Sequence, residues 1–132
     1  MTSSRRSVET GALWETQYGY HRAVALGEHA WVSGTTAASA GGTPDGDAAA
    51  QAETAFSIAL SALHELGFSR EDVVRTRMFV TDMGDAEAVG RVHGKVFAGV
   101  NPAATMVAVA ALIDPRLLVE IEVEAAKGSA TA

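Results

Sequence analysis

Residues 105–112 constrain the fold more than any other stretch, because this run is apolar on both of its alternating faces. Val107, Val109 and Ala111 share one face, and Met106, Ala108, Ala110 and Leu112 share the other. Strands of that kind are covered on both sides. Two helices from a chain of 132 residues cover one face of one sheet, so the opposite face asks for another layer. Two sources are available: further copies of the chain, or the long N-terminal segment folded across the sheet. Self-association through the sheet's second face is the expectation.

A second run, 119–126, alternates Val119, Ile121 and Val123 with Glu120, Glu122 and Glu124, which places three carboxylates on one face of a strand. A short Ile113-Asp114-Pro115-Arg116 turn joins the two runs. Upstream, residues 22–26 and 30–35 read as strands joined by Gly27-Glu28-His29, and the glycines and proline of 40–46 mark a loop. Within 47–66, Ala52, Phe56, Ala59, Leu60, Leu63 and Leu66 recur at three- and four-residue spacing, predicting a helix stopped by Gly67. Residues 73–81 read as a strand. Asp82 or Asp85 caps a second helix with the stripe Val89, Val92, Val96 and Phe97, ending at Gly99. The order is β-β-α-β-α-β-β, an α+β fold with two helices on one face of one sheet. The length predicts one domain over 1–132, with residues 1–12 loose and Trp14, Tyr18 and Tyr20 docked.

Several function classes are disfavoured by composition. A net charge of −6 works against polyphosphate partners, so no nucleic acid is expected. The chain has no cysteine, which excludes disulfides, thiolate nucleophiles, cysteine-bound zinc and iron–sulfur clusters. His21, His29, His64 and His93 lack the spacing of a metal site, so neither metal nor cofactor is expected. The first ten residues have no apolar signal core, and no run approaches the roughly 18 apolar residues of a membrane span. A cytoplasmic location without membrane contact is the expectation.

The residues that can carry chemistry lie on strands. Arg75 and Arg77 form a cationic set on one face, facing in type the acidic set Glu120, Glu122 and Glu124. Structural ion pairs explain both sets. A catalytic role requires one carboxylate in a closed pocket, where desolvation raises its pKa and lets it position or deprotonate water. His93 shares the buried side of the second helix with Val89, Val92 and Val96. Ser33-Gly34 ends a strand without a nucleophile-elbow motif, and Gly34 offers a ligand close access to backbone groups.

Taken in order, Gly19-Tyr20, Leu26-Gly27, Val32-Ser33-Gly34, residues 74–82 (VRTRMFVTD), Pro102-Ala103 and Val119-Glu120-Ile121-Glu122 resemble the RidA/YjgF family over residues 18–126. The resemblance implies a chorismate-mutase-like fold and a homotrimer with three clefts between subunits, each taking a small-molecule ligand. It also implies hydrolysis of reactive enamines and imines, such as 2-aminoacrylate, to a carbonyl compound and ammonia. Deaminating members carry an arginine directly after Pro-Ala that pairs with the substrate carboxylate. Ala104 stands there, Met106 stands where cysteine is common, and Gly90 stands where asparagine is frequent. Glu120 matches the family's water-positioning glutamate.

Losing that arginine removes a charge-assisted contact of about 1.5–3 kcal/mol. The resemblance therefore implies a cleft lined by Tyr20, Ser33, Gly34, Arg77, His93, Ala104, Met106 and the catalytic Glu120, in a divergent member. Three functions fit: an enamine or imine hydrolase whose substrate lacks a carboxylate or is anchored by Arg75 or Arg77; a non-catalytic small-molecule binding or regulatory trimer; or a lyase, isomerase or cyclase using Glu120 as base.

Overall fold

A computed structural model describes residues 4–128. Its sheet has six strands: β1 (Arg5–Val8), β2 (Ala23–Leu26), β3 (His29–Thr35), β4 (Val73–Val80), β5 (Ala103–Ala108) and β6 (Val119–Ala126). Three helices accompany them: α1 (Leu13–Tyr18), α2 (Ala48–Glu65) and α3 (Ala86–Val96). The strands lie in the order β1-β2-β3-β6-β4-β5, with every pairing antiparallel except β4 with β5. This is an α+β fold.

The local signals produce the elements they predict. Asp47 accepts the Ala50 N–H at 2.9 Å and starts α2. At its other end Gly67 takes φ 88°, Phe68 N–H reaches the Leu63 carbonyl at 2.9 Å, and Gly67 N–H reaches that of His64 at 3.0 Å. That pattern satisfies carbonyls the helix end leaves open. Ala52, Ala55, Phe56, Ala59 and Leu63 of α2 are fully buried against Val119, Ile121 and Val123 of β6, Val80 of β4 and Val89 of α3. Asp85 flanks α3 without a side-chain cap, while Asp82 accepts the Gly84 N–H at 2.9 Å in the tight turn before it.

Two expectations fail for long-range reasons. Of residues 1–12, expected to be loose, 1–3 lie outside the described residues, but Arg5–Val8 is a strand paired with β2. Arg6 Nη1 ties it to the Leu66 carbonyl at 2.6 Å. The two C-terminal strands are also not neighbours, because β4 lies between them. The β4-α3-β5 crossover delivers β5 parallel to β4 on its outer edge, and β6 occupies the other edge.

α2 and α3 cover one face of the sheet. On the open face β4 and β6 align Arg75 with Glu124, Arg77 with Glu122 and Phe79 with Glu120. The apolar edge strand β5 stays uncovered by its own chain: Ala103, Ala104, Val107 and Ala108 are exposed. The N-terminal segment joins the opposite edge of the sheet instead of folding over β5.

Candidate active site

The site begins at an irregularity in β3. Val32 pairs with Val123 but Thr35 pairs with Ile121, so β3 carries one extra residue at Ser33-Gly34. Ser33 Oγ donates to the His21 carbonyl at 2.7 Å, and Thr35 Oγ1 donates to the Ser33 carbonyl at 2.7 Å, fixing the bulge. Glu120 from β6 fills the space that the missing side chain of Gly34 leaves. A Cβ there would overlap Glu120 Oε2 and lie 3.1 Å from its Cδ.

Around this pair lies a cleft of about 580 Å³. Ser33, Gly34, Glu120 and Glu122 contribute from the sheet, Tyr20 and Trp14 from the N-terminal segment, and Ile113, Asp114 and Leu117 from the 109–118 connection. Burial pushes the Glu120 carboxyl above its ordinary pKa of 4.5, the Glu122 charge adds to that shift, and the Arg22 charge opposes it. Asp114 differs. Hydrogen bonds from the Arg116 side chain and backbone hold it at about 2, so it is anionic.

Arg22, which the sequence reading did not single out, is 4% exposed and lines the cleft. Its Nη2 donates to the Gly34 carbonyl at 2.6 Å, and its guanidinium carbon lies 5.8 Å from the Tyr20 ring centroid. Burial lowers its pKa, opposed by Tyr20, Glu15 and Glu120. The available signal was a charge placed between Tyr20 and an apolar strand. Only the register of β2 against β3, which puts Arg22 opposite Ser33, connects that charge to the site.

The structure brings Tyr20, Ser33, Gly34 and Glu120 together and places the other four expected residues elsewhere in the chain. Arg77 lies on the same face, but Glu124 at 2.8 Å and Glu122 at 3.7 Å neutralise it outside the cleft. His93 is on the helix side of the sheet, where its Nε2 meets Thr76 Oγ1 at 2.7 Å and its ring packs against Phe56 and Phe97. Ala104 aligns with Thr76, and Met106 aligns with Met78 and approaches Gly90. Both therefore belong to the β5–α3 edge, separated from Glu120 by β4.

Chemically, the cleft offers an acid–base carboxyl near neutrality, a buried guanidinium and an aromatic wall. Among the described residues no group of three or more His, Asp or Glu is placed to hold a metal ion, and no helix is long and apolar enough to cross a membrane.

The sequence model of a family described as "Endoribonuclease L-PSP" matches residues 11–127. An uncharacterised protein of Streptomyces coelicolor is 41% identical over 131 residues, covering 98% of each chain. The crystal structure of Rv2704 from Mycobacterium tuberculosis, a member of the YjgF/YER057c/UK114 family, is 43% identical with a TM-score of 0.86, covering 94% of this chain and all of that one. TdcF of E. coli, crystallised with bound serine, is 25% identical with a TM-score of 0.77 over 83% of this chain and 88% of that one. The six-stranded α+β architecture and these matches agree: the chain belongs to the YjgF/Rid family, whose model carries the description Endoribonuclease L-PSP.

Proposed function

We propose that this protein is a small-molecule hydrolase of enamines or imines that works as a homotrimer. The observation that carries the reading is Glu120, a carboxyl with a raised pKa held against Gly34 in a cleft. As a carboxylate it takes a proton from a water whose oxygen bonds to the imine carbon. The proton then passes to the nitrogen, the C–N bond breaks, and a carbonyl compound and ammonia leave. Ser33, Gly34 and Tyr20 position the substrate. Serine bound to TdcF supports a ligand of amino-acid size. The endoribonuclease description has less physical support here, because Glu120, Glu122 and Glu124 line one face and repel phosphate.

The exposed apolar β5 edge supports the trimer. So does the separation of the expected site into two groups: Ala104 and Met106 meet Glu120 only if they come from a second copy. Ala104, which supplies no cation, favours a second reading as a non-catalytic binding trimer. Incubation with freshly generated 2-aminoacrylate and with its neutral carboxamide separates the two. Ammonia release above the buffer rate for either compound, lost in Glu120→Ala, supports the hydrolase. Buffer rates for both leave the binding reading. In an active protein, Ala104→Arg raises turnover of the carboxylate over that of the amide.

A further inference from the structure

Arg22 presents an energetic imbalance. A guanidinium taken out of water is strongly destabilising unless a carboxylate and enough hydrogen-bond acceptors compensate it. Among the described residues no carboxylate oxygen lies within 4.0 Å of it, and of its five N–H donors the one engaged is on Nη2, with the Gly34 carbonyl. Its Nε is buried without a partner. Support for one carbonyl does not explain the charge, since a neutral donor provides the same bond. The group nevertheless lines the cleft with Glu120, and Tyr20 lies 5.8 Å away.

We propose that Arg22 is the cleft's anion anchor, and that the substrates are carboxylates of the 2-imino acid class despite Ala104. This rests on the hydrolase reading for the nature of the reacting carbon, while the anchor itself is a matter of binding alone. Arg22 emerges from β2, not from the β5 position after Pro-Ala, so the charge reaches the same chemistry from a different strand. The fork of the guanidinium suits a planar carboxylate, and its link to Gly34 fixes the anchor relative to Glu120. Its charge also offsets the repulsion an ionised Glu120 exerts on an anionic substrate.

The test uses 2-oxobutanoate, a product-like keto acid, and the neutral 2-oxobutanamide, titrated calorimetrically into the intact protein. The keto acid binds about ten- to a hundredfold more tightly than the amide. Arg22→Gln, which keeps a donor for the Gly34 carbonyl, removes that preference, whereas Arg116→Gln at the cleft rim keeps it. In the wild-type protein, whatever the fate of the variant, the Arg22 Nε–H nuclear magnetic resonance shifts with the keto acid and not with the amide. Equal affinity for the two probes, no binding of the keto acid at millimolar concentration, or an unmoved Nε–H signal overturns the anchor. Binding needs no turnover, so an Arg22-dependent preference in a protein that releases no ammonia removes the hydrolase and leaves the anchor. Hydrolysis without the preference does the reverse.

Discussion

Glu120 and Gly34 are built for each other: the carboxylate of one occupies the volume that any side chain on the other would need. Gly34 does not adopt a positive φ, so its backbone tolerates alanine, and the conflict is with Glu120 alone. Gly34→Ala is expected to lose about 1–3 kcal/mol from overpacking and to reduce ligand binding by displacing Glu120. In a Glu120→Ala background the same substitution costs much less. Urea denaturation of the four proteins measures this coupling, and strictly additive losses contradict the contact.

The raised pKa of Glu120 has a defined effect on stability. Between the unfolded value and the higher folded value the native state binds more protons, so stability falls as pH rises through that window. Glu120→Gln removes this slope. Activity shows the complementary trend, with an acidic limb that Glu122→Gln moves to lower pH, because the Glu122 charge contributes to the shift. Denaturation curves over the acid range and a kcat/KM profile read the two effects.

His93 is expected to act through packing. Burial lowers its pKa, so the folded state favours the neutral ring, and stability drops as pH falls below the ordinary histidine value of 6.5. His93→Phe abolishes that acid sensitivity. Thr76→Val leaves the ring without its 2.7 Å partner and costs about 1 kcal/mol. Tm measured against pH checks both, and an unchanged pH profile in His93→Phe rules out the buried neutral ring.

Val107, on the open face of β5, is 39% exposed in the single chain. If β5 is buried between copies, Val107→Asp places a charge in an apolar interface and disrupts assembly. Light scattering of the wild type is expected to give three times 13.6 kDa, and the variant a lower mass. A wild-type mass of one chain removes the trimer.

Local periodicity made the helices and strands legible. The apolar spacing of α2 and α3, Gly67 as a stop, the β2–β3 turn and the alternation of Glu120, Glu122 and Glu124 all depend on residues a few positions apart. The same alternation put Glu120 on the open face, and the ordered motifs pointed to its role. β1 escaped notice because Arg5, Arg6 and Ser7 carry no apolar pattern, and pairing with β2 makes the strand. His93 was correctly read as lying on a buried helix side, but that side faces away from the cleft. Arg77 was ambiguous because alternation gives a face and not a partner, and Glu124 claims it.

What the sequence by itself determined was therefore the set of elements, the open and covered faces, and the family. Only the tertiary structure decided that β4 separates β5 from β6, that a bulge seats Glu120 against Gly34, and that Arg22 enters the same cleft. Side-chain periodicity reflects which face is buried. Which strands pair, and in what register, depends on contacts between residues far apart in the chain, and those contacts assemble the site.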